Sequence, residues 1–114
     1  MDISVEDSAG GVTRVVLHGR LDTTAAVTME LPLNTVAAEK KAIVVDLSAV
    51  TFLASYPLRV LLMGARIANS KGGKLVVVCP DNNVAKALRS AGASDLIPVV
   101  ADVEAAIAAL AAPA

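Results

Sequence analysis

Ile43-Val44-Val45-Asp46-Leu47-Ser48-Ala49-Val50-Thr51-Phe52-Leu53-Ala54-Ser55-Tyr56-Pro57-Leu58-Arg59-Val60-Leu61-Leu62 is the stretch on which the fold turns. Its first five residues form a short, β-branched and almost uninterrupted apolar run, as in a strand covered on both faces. Ser48 to Tyr56 reads as a loop. Pro57 then suits the first turn of a helix, where its missing N–H removes no intrahelical bond. That helix extends to about Ser70 and stops before Gly72-Gly73. Leu75 to Cys79 repeats the buried-strand pattern, so the chain makes a strand–helix–strand crossover.

The pattern continues on both sides of this unit. Upstream, Ile3 and Val5 alternate with polar residues, Gly10-Gly11 breaks the chain, and Val12 to Leu17 forms a second run, which together read as a hairpin. Gly19-Arg20-Leu21-Asp22 ends it. Thr23 or Thr24 can cap a helix through Met29 and Leu31 to Ala38, with Pro32 set to kink it or split it in two. Downstream, Pro80-Asp81 opens a helix carrying Val84, Ala87, Leu88 and Ala91, and Gly92 closes it. Ile97 to Val100 is a short strand candidate. Asp102 can cap a last helix with Val103, Ile107 and Leu110 on one face. The order β-β-α-β-α-β-α-β-α implies one mixed sheet, a hairpin followed by βαβ crossovers, packed with about four helices. With 114 residues and no linker or repeat, residues 1–114 read as a single α/β domain.

Composition narrows the function. The chain is 55% hydrophobic and 18% charged, enough apolar material for one core. With one Phe, one Tyr and no Trp, that core must be aliphatic. Ten basic and eleven acidic residues give a net charge of −1, without runs of either sign. Nucleic-acid binding is therefore not expected. Polar residues or glycine interrupt every apolar run, so membrane insertion is not expected either. The acidic, alternating N-terminus is unlike a secretion signal, and the lone Cys79 leaves no internal disulfide. A cytoplasmic protein is the expectation.

A search for chemistry returns little. His18, the only histidine, lies in the second strand without a triad, and Cys79 ends a buried strand as a small core residue. One Cys and one His do not make a typical structural zinc site. Asp22, Asp46, Asp81, Asp95 and Asp102 lie near element ends, as capping residues do. The paired glycines lack phosphate-loop spacing. No catalytic residue, metal or cofactor is expected. The anomaly is the helix after Pro57. Leu58, Leu61, Leu62 and Ala65 make one apolar stripe, and Val60, Met63 and Ile67 make a second. Either the helix is covered on two sides or part of it binds a partner.

Asp46 to Leu62 resembles the DLSxVxFxDSSGLxxLL signature of STAS domains in bacterial anti-sigma-factor antagonists. Gly19-Arg20-Leu21-Asp22 resembles the family's GxLD element, and Gly73 to Val78 its third main strand. The resemblance spans about Ile3 to Leu110. It implies a non-enzymatic interaction module that binds an anti-sigma factor of histidine-kinase-like fold in partner-switching control of transcription. In that family the partner phosphorylates the second serine of Asp-Ser-Ser-Gly and so ends the interaction. Here those four positions are Ala54-Ser55-Tyr56-Pro57, so Tyr56 stands at the acceptor position and is expected to stay unmodified. Ser55 is read as either a helix N-cap or a fallback acceptor. The implied partner surface is Asp22, Thr23, Ser55, Tyr56, Pro57, Arg59, Val60 and Met63. The alternative is a STAS accessory subunit of a lipid or solute transporter, and a dimer is also compatible.

Overall fold

The structure, a computed structural model, describes residues 2–80, 82–93 and 96–111. Asp81 and Asp95, read as helix-end residues, lie outside the described residues. Five strands form one sheet in the order β1-β2-β3-β4-β5: Asp2–Ser8, Val12–Leu21, Ala42–Leu53, Lys74–Val78 and Val99–Val100. β1 and β2 are antiparallel, and every later neighbour pairs in parallel. The hairpin turns through Ala9–Gly11, where Gly10 and Gly11 both take φ of 77°, a conformation that glycine adopts without a Cβ penalty. Among the described residues four α-helices accompany the sheet: α1 Thr23–Glu39, α2 Ser55–Ser70, α3 Asn83–Ser90 and α4 Val103–Ala111. Ile43–Leu47 and Leu75–Val78 are neighbouring central strands, as their buried-type runs require.

Alternation along the strands divides the core between the two faces. Val15, Leu17, Ile43, Val45, Leu47, Leu75 and Val77 face α1, α2 and α3, and pack with Met29, Leu33, Leu61 and Leu88. Val12, Val44, Val76 and Val78 face the other way and are covered by α4 through Ala106, with Val103, Ala109 and Leu110 around it. With both faces covered, β3 and β4 have no place for regular polar alternation.

Several local expectations are corrected. Ser48 to Leu53 is strand, because two bulges each insert one extra residue in β3, and β3 thereby stays paired with β2 beyond the end of β4. β2 likewise continues through Gly19 to Leu21. α1 runs unbroken through Pro32, since Ala25, Ala26 and Met29 before it and Leu33, Val36 and Ala37 after it bury one common face. Tertiary packing outweighs the lost bond to the Thr28 carbonyl. α3 is capped by Asn82, whose Oδ1 accepts from the Val84 and Ala85 N–H groups, and its core face is Val84, Ala85 and Leu88. Asp102 does cap α4 (Ala105 N–H to Oδ1, 2.8 Å), but Ala106 takes the inner position and Ile107 is exposed.

Replacing Pro32 by Ala restores a backbone donor without disturbing the buried face. The expected result is stabilisation by about 1–2 kcal/mol, less than the full helix-interior proline penalty because the fold already accommodates the ring. A urea midpoint below that of wild type would show that Pro32 packing outweighs the missing bond.

Candidate partner-binding face

The parallel strands bring the starts of α1 and α2 together. Leu21 pairs with Leu53, and the Ala54 N–H donates to the Leu21 carbonyl at 2.9 Å. Asp22–Thr23 and Ser55–Tyr56 therefore emerge at the same end of the sheet, beyond the carboxyl ends of β2 and β3. Asp22 rather than Thr23 or Thr24 caps α1, with Oδ1 accepting from the Ala25 N–H at 2.9 Å. A short acidic side chain in extended conformation suits that position, and its charge complements the helix dipole.

At α2 the N-cap is Ala54, which has no side chain to cap with. Ser55 is the first helical residue, exposed, and its hydroxyl has no hydrogen bond among the described residues. The N-cap reading of Ser55 is thus corrected. Tyr56 follows, 40% exposed, and shares a cavity of about 310 Å³ with Glu30, Arg59, Val60 and Met63. Leu58 donates to the Ala54 carbonyl at 3.2 Å, and Pro57 has no N–H to offer.

Pro57 and Val60 are buried, so their side chains do not form the outer surface expected of them. The cause is α1, which packs alongside α2. A Cβ on Gly64 would lie 3.3 Å from Leu33 Cγ, which shows how close the two helices approach. Of the two alternatives for the doubly apolar helix, coverage on two sides accounts for Val60. Met63 remains 51% exposed and Arg59 is exposed. Glu30 and Arg66 join this face from positions that sequence reasoning did not select. The spacing of Arg66 seven residues after Arg59 was a usable signal, whereas Glu30 needed the α1–α2 packing. Phe52, also 40% exposed, carries the Arg20 guanidinium 4.3 Å from its ring centroid, a cation–π pair beside the same helix starts.

No reacting pair emerges around these residues. His18 is exposed on β2. Burial pushes the Cys79 thiol up from its ordinary value and keeps it protonated, with Sγ 3.7 Å from Asn82 Oδ1. Among the described residues no three His, Cys, Asp or Glu side chains gather as a metal site, and no helix is long and apolar enough to cross a membrane. A cavity of about 540 Å³ lies at the opposite end of the parallel strands, against Lys41, Gly73, Lys74 and Leu110, away from these residues.

The model of the STAS domain family matches residues 5–106. The chain is a STAS domain. No curated protein matches it. Among solved structures, an anti-sigma factor antagonist from Mycobacterium paratuberculosis is 28% identical, with 96% of this chain and 92% of that one covered and a TM-score of 0.88. The Bacillus cell fate determinant SpoIIAA in its phosphorylated form is 18% identical over 95% of this chain and 98% of its own, with a TM-score of 0.72. A SulP transporter STAS domain from Vibrio cholerae is 22% identical over 86% and 77%, with a TM-score of 0.65. This STAS domain thus has the fold of anti-sigma-factor antagonists.

Proposed function

We propose that this STAS domain is a non-enzymatic, cytoplasmic partner-switching module that binds an anti-sigma factor of histidine-kinase-like fold through the face where α1 and α2 begin. The observation that carries it is Tyr56, at the position of the family's regulatory serine. It is exposed at an uncapped helix start beside Asp22 and Thr23, with Arg59 and Met63 continuing the surface along α2. A charged group introduced there would alter a docked partner directly. In this chain the phenol and Pro57 leave that device in an altered form, so binding persists where the family's antagonists are switched off.

The test uses the intact protein as bait in its native host, followed by titration of the purified partner. A histidine-kinase-like anti-sigma factor should be retained. Tyr56→Ala and Met63→Asp should each weaken it roughly tenfold, about 1.4 kcal/mol, with the far-UV circular dichroism unchanged. Val60 is unsuitable for such a test because a buried Asp would unfold the chain. Equal affinity of wild type and both variants would place the interface elsewhere. A second reading, an accessory subunit of a lipid or solute transporter, draws support from Val27 and Leu31 on α1, exposed at 71% and 75% and suited to an obligate interface. Retention of a transport ATPase in the same experiment would favour it.

A further inference from the structure

Arg59, Met63 and Arg66 follow one another at i, i+4 and i+7 on the outer side of α2. With Leu62 they line a groove of about 260 Å³. Both arginines are exposed, and neither has a carboxylate within ion-pair distance among the described residues. Two helical turns separate them, roughly 10 Å along the axis. Met63, half exposed between them, offers an unbranched and polarisable apolar surface that adapts to what packs on it. The groove is therefore apolar in the middle and cationic at each end.

That charge pattern selects among occupants. Anionic membranes are held by clusters of about four to eight basic residues, and here there are two, with Glu30 in the adjoining cavity. A second copy related by a two-fold axis through the groove would set arginine against arginine. A protein segment with carboxylates about two turns apart and an apolar side chain between them matches both ends and the centre, since guanidinium groups bind carboxylates bidentately. We propose that the groove between Arg59 and Arg66 receives an acidic amphipathic helix of the protein partner, its apolar residue seated on Leu62 and Met63. This rests on the reading above that α2 faces a protein, and specifies the chemistry of that partner.

The test needs no knowledge of the partner. Full-length protein carrying ¹³C-methyl methionine is titrated with a synthetic helical peptide bearing two Glu seven residues apart and Leu between them. The control peptide has Lys in place of Glu. The Glu peptide should shift the Met63 methyl signal saturably and leave the buried Met29 signal in place, with half-saturation at roughly one-tenth the concentration needed by the Lys peptide. Raising salt should weaken it. Arg59→Ser with Arg66→Ser should weaken it at least about tenfold, the unmoved Met29 signal reporting an intact core. Equal response to the two peptides, or unchanged binding by the double variant, would overturn the groove assignment. So would co-sedimentation with vesicles of about 30% phosphatidylglycerol in place of peptide binding. Because neither peptide contains anti-sigma-factor sequence, capture of such a factor by a domain that ignores the Glu peptide would sink this inference and leave the proposed function standing.

Discussion

Incubated with an anti-sigma kinase of the kind proposed above as its partner, Mg²⁺ and ATP, the wild-type protein should gain no phosphate on Tyr56, and a Tyr56→Ser, Pro57→Gly variant should gain close to one phosphate per chain. Phosphoryl transfer depends almost wholly on positioning the acceptor in line with the γ-phosphate. A phenol carries its oxygen several ångström beyond the place of a serine hydroxyl, and Tyr56 projects into the cavity beside Glu30 and Arg59. The helix start is also poorer in donors than usual. Pro57 lacks an N–H and the Ala54 N–H is already bonded to the Leu21 carbonyl, so a phosphate there would have only the Ser55 and Tyr56 amides of the first turn. Intact mass and peptide mapping read the result. Phosphate on Tyr56 would refute the geometric argument. Phosphate on Ser55, whose exposed hydroxyl caps nothing, would show the switch shifted by one residue.

A large stability effect is expected at Asp46, the first residue of the signature, which is 4% exposed on β3. Its Oδ2 accepts from Arg14 Nη2 at 2.6 Å and its Oδ1 from the Ser48 N–H at 2.9 Å, where β3 bulges. Arg14 also lies 3.9 Å from Glu6, and its Nε is buried without a partner. Removing the carboxylate by Asp46→Ala strands a half-buried guanidinium and opens the bulge, costing about 2–3 kcal/mol, below the usual range for buried pairs because Arg14 is partly solvated. That corresponds to a fall of roughly 10 °C in Tm. Asp46→Asn keeps an acceptor for Ser48 and should cost about half as much. Burial pushes the Asp46 carboxyl up, but the bonds from Arg14 and Ser48 and the charge of Arg14 outweigh it and hold it below its ordinary value. A group with a lowered folded pKa contributes stability that is full above its unfolded value, about 3.9, and is lost as pH falls through the folded value. Arg14, itself pushed up chiefly by the bond to Asp46, stays charged throughout. The stability gap between wild type and Asp46→Asn should therefore be constant from about pH 5 to 8 and shrink below about pH 4. Urea midpoints across that range measure it, and a gap that does not narrow in acid would show the ion pair to be energetically idle.

Which of these features the sequence announced depends on the range of the interactions that make them. Ile43–Leu47 and Leu75–Val78 declare themselves as doubly covered strands, and Pro57 to Ser70 as a helix, because period, β-branching and the proline and glycine boundaries are properties of neighbouring residues. The signature from Asp46 to Leu62 likewise marked Ser55 and Tyr56, although as loop residues ahead of that helix, whose first two residues they are. Tertiary structure alone decided the rest. Ser48 to Leu53 looks like a loop until β2 supplies the pairing partners that absorb its two extra residues as bulges. α1 looks divisible at Pro32 until three buried residues on each side of it are seen to share one face. Val60 and Met63 belong to one stripe in sequence, and only the approach of α1, close enough at Gly64 that an added Cβ would press on the Leu33 side chain, buries the first and leaves the second in solvent. Each of these outcomes is set by partners distant in the chain, whose burial energy exceeds the local preference of a polar turn, a proline or an apolar stripe.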